Sequence, residues 1–122
     1  MDINKSTGKL YDLTSIYAIS EHNPAFLAKL ILVFCDNISN DILLIKTAAI
    51  AENWPEVSHL VHKMKPSLAH FGVNAVKDLM ISLEHPGNSD ARYLSSLVNE
   101  LDRVTSELLV ELKTEFSDIF NQ

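Results

Sequence analysis

Residues 53–72 read Asn53-Trp54-Pro55-Glu56-Val57-Ser58-His59-Leu60-Val61-His62-Lys63-Met64-Lys65-Pro66-Ser67-Leu68-Ala69-His70-Phe71-Gly72, and their spacing decides the fold. An asparagine closely followed by proline is a helix start, because the amide side chain caps free N–H groups and proline lacks only an N–H that the first turn leaves unpaired anyway. Behind it Val57, Leu60, Val61, Met64, Leu68 and Phe71 recur at three- and four-residue steps, which keeps one helical face apolar. Gly72 supplies a residue free to take the left-handed conformation that closes a helix. One amphipathic helix cannot bury its stripe alone, so the rest of the chain must supply partners.

Upstream, Asn23-Pro24 repeats the start signal, and Leu27, Leu30, Ile31, Phe34, Ile38, Ile42, Ile45 and Ala49 carry an apolar face to about Ala51. Before it, Asp12 is placed to cap a short helix holding Leu13, Ile16, Tyr17 and Ile19. Downstream, Asn74 is read as the cap of a shorter helix with Val76, Leu79, Met80 and Leu83 on one face, stopped at His85-Pro86-Gly87-Asn88. Ser89 is read as the cap of a last helix in which Leu94, Leu97, Leu101, Val104, Leu108, Leu112 and Phe116 repeat at coiled-coil-like steps to near Ile119. The expected fold is all-α: an antiparallel up-and-down four-helix bundle with a short additional N-terminal helix. Residues 1–122 are expected to form a single domain, with 1–11 as a flexible N-terminal tail.

Composition agrees with that reading. The chain has 122 residues, 47% of them hydrophobic and 21% charged, with three Gly and four Pro, too few breakers for the many turns an all-β fold needs. Ten basic residues against sixteen acidic ones give a net charge of −6, which disfavours nucleic acid and anionic membrane surfaces as partners. Cys35 is the only cysteine, and the first residues have no apolar stretch of the kind that forms a secretory signal, so the expectation is a cytoplasmic protein. Its longest apolar run is too short to span a bilayer. Met1 and a complete bundle favour a free-standing protein.

Enzyme signatures are absent: the sequence has no GxxxxGK[ST], GxGxxG, GxSxG, HExxH or CxxC. Chemistry would therefore rest on isolated side chains, with His22, His59, His62, His70 and His85 as candidates. Placed at ~100° steps around the third helix, the core residues lie within roughly 60° of Val57 while His62 lies at about 140°, facing solvent. His59, Lys63 and His70 fall further round, on a hydrated face. Around His62 stand Ser58 one turn before, Pro66 one turn after and Ala69 two turns after, all small or flat, with Lys65 at the edge of the core face. Neutral imidazole is nucleophilic at neutral pH and can accept a phosphoryl group, and Lys65 is close enough to neutralise phosphoryl oxygens. On spacing alone an ordinary solvated polar side chain is the better reading. A metal shared by His59 and His62 lacks a third ligand fixed in sequence. Cys35 and Trp54 read as packing, and Glu107, Glu111 and Glu115 as a solvated face.

The run His62-Lys63-Met64-Lys65-Pro66-Ser67, with Gly72 ten residues after the histidine, resembles the signature of the histidine phosphotransfer (HPt) domains of bacterial phosphorelays: His, any residue, an aliphatic, Lys, Gly, Ser, then Gly. The Asn23-Pro24 start before Phe26-Leu27, the Trp54 lead-in and Leu83-Glu84 after the motif helix follow the same layout, so the resemblance covers the chain from about Asp12 onward. It implies that His62 is the phosphoacceptor and that Lys65 helps neutralise the phosphoryl group. Ser58, Pro66 and Ala69 are then expected to contact the partner. The implied partners are receiver domains of hybrid histidine kinases and response regulators, which bring their own Mg²⁺; the chain needs no cofactor, has no kinase activity of its own and acts as a monomer.

Pro66 departs from the family glycine, and proline inside a helix removes the hydrogen bond to the His62 carbonyl at a typical cost of ~3 kcal/mol. Because Met64, Leu68 and Phe71 stay in phase across it, one bent helix is expected. Two other functions compete. The dimerisation and phosphoacceptor part of a sensor kinase also exposes a helical histidine, but usually with an acidic residue next to it, where this chain has Lys63. A non-catalytic helical adaptor would offer its bundle to a partner helix or receiver domain without using His62.

Overall fold

Three side-chain caps fix where the long helices begin. Asn23 Oδ1 accepts the Phe26 N–H at 3.1 Å, Asn53 Oδ1 accepts the Glu56 N–H at 3.3 Å, and Asp90 Oδ1 accepts the Tyr93 N–H at 2.8 Å. The computed structural model describes residues 9–121, and its helices are α1 (Thr14–Ser20), α2 (Pro24–Ile50), α3 (Trp54–His70), α4 (Lys77–Glu84), α5 (Ala91–Glu115) and α6 (Ser117–Phe120). Among the described residues there is no strand.

Consecutive helices pack side by side, α2 on α3, α3 on α4 and α4 on α5, and α5 returns against α2 to close the bundle, while α1 lies on α2. The closure buries Ile31, Ile38, Ile45, Val57, Val61, Leu101, Leu108 and Leu112 completely. Each such side chain removed from water contributes about 1.5–3 kcal/mol. Phe34 of α2 stacks on Phe71 at the end of α3, centroids 3.7 Å apart, which pins the C-terminal end of α3 to its neighbour. The all-α up-and-down bundle with a short leading helix is therefore the fold, and Cys35 is buried within it, its thiol pushed up to about 11 by burial.

Several boundaries differ from the sequence expectation. Asp90 rather than Ser89 caps α5, since Asp90 has the extended backbone of a cap (φ −82°, ψ 162°) and brings a charge to the positive helix end. Asn74 does not cap α4, which starts at Lys77 with no side-chain cap; Asn74 instead offers its carbonyl to the Lys77 N–H at 3.1 Å. α5 stops at Glu115, because Phe116 leaves helical geometry (φ −112°, ψ 39°), and the single turn of α6 carries Ile119 and Phe120 back towards the core. Pro66 sits inside α3 without ending it, so α3 is one helix.

The tail expected over 1–11 is corrected at its inner end, while residues 1–8 lie outside the described residues. Tyr11 is buried, and its hydroxyl donates to Glu115. Lys9 Nζ pairs with Glu115 at 2.9 Å, and the Leu10 N–H donates to Glu111 at 2.8 Å. Glu111 and Glu115 are thus anchors for this strap rather than a merely solvated face. The strap crosses the end of α3, where the Asp12 N–H donates to the Phe71 carbonyl at 3.0 Å. Gly72 makes that crossing possible: its φ is +65°, and a Cβ there would meet the Asp12 carbonyl oxygen at 2.5 Å.

Candidate functional site

His62 projects from the middle of α3 with its side chain 70% exposed, on the side the helical arithmetic assigns it. Its Nδ1 is hydrogen-bonded to Glu84, the last residue of α4. A carboxylate only accepts, so Nδ1 carries the proton and the lone pair of the neutral ring resides on Nε2. No hydrogen bond engages Nε2 among the described residues. The second Glu84 oxygen accepts from Lys65 Nζ at 2.6 Å. One carboxylate therefore bridges the two side chains that the sequence motif singled out.

Glu84 performs this role because its side chain is only 10% exposed and is held from two sides. Hydrogen bonding from Lys65, and next from His62, holds its carboxyl below the usual carboxylate range. Its own carbonyl accepts from the Ser58 hydroxyl at 2.6 Å. Ser58, expected on the partner-contacting surface, is thus turned inward onto α4.

Pro66 and Ala69 are exposed and line a cleft of about 430 Å³ between α3 and α4, together with Lys65, Lys77, Met80 and Ile81. The cleft starts at Lys65 and Pro66, one turn beyond His62, and gives an approaching surface an apolar floor with lysines in its lining. His59, Lys63 and His70 are exposed, on the hydrated face expected of them. A larger cavity, about 750 Å³, lies at the strap between Tyr11, Gly72 and Glu115 and includes none of the residues around His62. Among the described residues no group of three or more His, Cys, Asp or Glu is arranged to hold a metal ion. No described helix is long and apolar enough to cross a membrane.

Sequence reasoning placed His62, Lys65, Pro66 and Ala69 on one side of α3 but did not assign Glu84 to the site. One signal was available: His62 and Glu84 stand equally far from Val73, so folding α3 and α4 into an antiparallel pair about that turn brings them opposite each other.

A bundle that carries an outward imidazole, with a lysine and a carboxylate fixed beside it, defines a histidine-bearing helical module. The Hpt domain family model matches residues 29–118, from the second turn of α2 to the start of α6, and the chain belongs to this family of phosphocarriers of two-component signalling. No curated protein and no solved structure matches it. The family assignment gives the protein a general role in histidine phosphotransfer within a phosphorelay.

Proposed function

We propose that this chain is a phosphorelay intermediate that accepts a phosphoryl group on Nε2 of His62 from the phospho-aspartate of one receiver domain and passes it to another. The observation that carries the reading is the Glu84 bridge, which engages Nδ1 and leaves Nε2 open on a ring that is 70% exposed. In the transfer, the Nε2 lone pair attacks phosphorus, the bond from phosphorus to the aspartyl oxygen breaks, and the aspartate leaves as a carboxylate. The ring keeps its Nδ1 proton and gains positive charge as the new bond forms, and the Glu84 carboxylate stabilises that charge. Lys65 reaches the phosphoryl oxygens from one turn away. Positioning and charge neutralisation supply the catalysis, as in other phosphoryl transfers with weak bonds to both partners.

Receiver domains of hybrid histidine kinases and response regulators are the partners in this reading. The receiver supplies the Mg²⁺ that neutralises phosphoryl charge; this chain contributes no cofactor and no kinase activity. The cleft beside His62, with Pro66 and Ala69 on its wall, serves as docking ground, and the small residues there let another protein's active site come close. The chain acts as a cytoplasmic monomer, in keeping with its lone buried Cys35 and acidic surface.

The test is phosphoryl transfer from a panel of receiver domains charged with acetyl phosphate, with the His62→Gln variant alongside. Wild type takes up an acid-labile, alkali-stable label, and His62→Gln folds normally and takes up none. Lys65→Ala slows transfer without abolishing it. A labelled His62→Gln protein would place the acceptor elsewhere. If a receiver binds both proteins tightly and labels neither, the non-catalytic adaptor takes over.

A further inference from the structure

Ser58 distinguishes itself among the helical hydroxyls. Ser20, Thr47, Ser96, Thr105 and Thr114 all donate to a carbonyl of their own helix, three or four residues back. This is the usual local outlet for such groups. The Ser58 hydroxyl instead crosses from α3 to the carbonyl of Glu84, 26 residues along the chain. That carbonyl belongs to the last turn of α4, where the helix offers its own carbonyls no partner. The residue that receives the bond is the one whose side chain holds His62 and Lys65.

We propose that Ser58 is a positioning residue for transfer at His62: by fixing the main chain of Glu84 it keeps the carboxylate of the same residue on Nδ1. The proposal rests on the reading of His62 as phosphoacceptor. Two features make the latch consequential. α4 has eight residues and no side-chain cap, too short to be stable or fixed by itself, so its C-terminal end lies where tertiary contacts put it. Directly after Glu84 the chain leaves the helix at His85 (φ −126°, ψ 69°), whose N–H still bonds back to the Ile81 carbonyl, and enters an exposed Gly87-Asn88-Ser89 turn with no buried anchor of its own. Leu83 anchors the neighbouring residue in the core, but a buried leucine leaves the direction of Glu84 free to vary. The Ser58 bond removes that freedom one turn before His62, on the same side of α3.

The test compares wild type, Ser58→Ala and Ser58→Thr, each checked for folding by circular dichroism, in two measurements. One is the rate of phosphoryl transfer from a receiver domain charged with acetyl phosphate. The other is the His62 tautomer read from ring ¹⁵N NMR shifts. Ser58→Ala is expected to retain an acid-labile label on His62 but to transfer about fivefold more slowly, the factor that one net hydrogen bond carries. Its Nδ1–H tautomer population falls at the same time, and Ser58→Thr, which keeps the hydroxyl, restores both. A Ser58→Ala protein that is slow with an unchanged tautomer, or unchanged in both, overturns the proposal. So does a folded Ser58→Thr protein that behaves like Ser58→Ala. Should Ser58→Ala not fold, Ser58→Cys, similar in size but a weak donor, takes its place with the same expected outcome. If no receiver labels wild type, the relay reading fails by itself, and the tautomer shift still tests the link from Ser58 through Glu84 to His62.

Discussion

Glu84 and Glu115 each hold one ring and one lysine, yet their surroundings are inverted. At the site the carboxylate is sheltered, 10% exposed, and the ring it holds, His62, is 70% exposed. At the strap the carboxylate is the open partner, 37% exposed, and the ring it holds, Tyr11, is buried. The same contact chemistry therefore does two jobs. A sheltered anchor presents its ring to the outside for use, whereas an exposed anchor draws its ring inward and fastens the chain. Gly72, at the end of the helix that carries His62, is where the two regions meet.

That inversion predicts separable failures. The largest effect is expected from Gly72→Ala, which forces a Cβ into the Asp12 backbone at a left-handed position and lowers stability by about 3 kcal/mol or more. Urea denaturation measures it, and label uptake by the folded fraction should stay at the wild-type level. A folded but inactive Gly72→Ala protein would break the separation. Next comes Glu84→Gln, which keeps the shape of the bridge and removes its charge. Transfer is expected to slow on the order of tenfold, while the melting curve changes little. A large loss of stability with unchanged transfer would reverse the roles assigned to the two glutamates.

The smaller effects lie at the strap. Tyr11→Phe removes the hydroxyl bond to Glu115 and is expected to cost about 1–2 kcal/mol without changing transfer. Burial, and next the bond to Glu115, pushes the Tyr11 hydroxyl well above the ordinary tyrosine value of 10.0. A raised phenol favours the neutral form in the folded state, so its contribution is complete below about pH 10 and is lost as pH rises further. Urea denaturation followed from about pH 9 upward should show this loss in wild type and not in Tyr11→Phe. Glu84 gives the opposite sign: its carboxyl is lowered, so its contribution is present above its ordinary value of 4.5 and is lost as pH falls below it. Below about pH 4.5 the Lys65 side-chain signals should therefore shift in NMR, and Glu84→Gln should remove that shift.

Much of the bundle was legible in the sequence, since its signals are local. Asn23-Pro24 and Asn53-Trp54-Pro55 cap the helices they announce, and the stripe from Val57 to Phe71 is the buried face of α3. His62 followed from the same periodicity. What escaped depends on which groups meet across the fold. Asp90 and Ser89 are both good caps, and only the backbone angles choose between them. Glu84 reads as the polar end of a short helix until α4 is folded back against α3. Lys9, Leu10 and Tyr11 read as tail because the glutamates that hold them stand on the last long helix. Ser58 was correctly placed one turn before His62, but its small size suggested room for a visitor when its hydroxyl was already engaged.

The strap also says how the molecule comes apart. Its bonds from Leu10 and Tyr11 join residues 101 and 104 positions apart in sequence, whereas most of the bundle packs each helix on its neighbour in the chain. The strap is held by a few bonds at the edge of the molecule, whereas the helices share a continuous core, so it is expected to open before them. Amide hydrogen exchange should register this as a separate event, with the Leu10 and Asp12 amides exchanging by local opening well before those of Leu101 and Leu108. The bundle can in this way release its N-terminal segment while the helix bearing His62 stays formed.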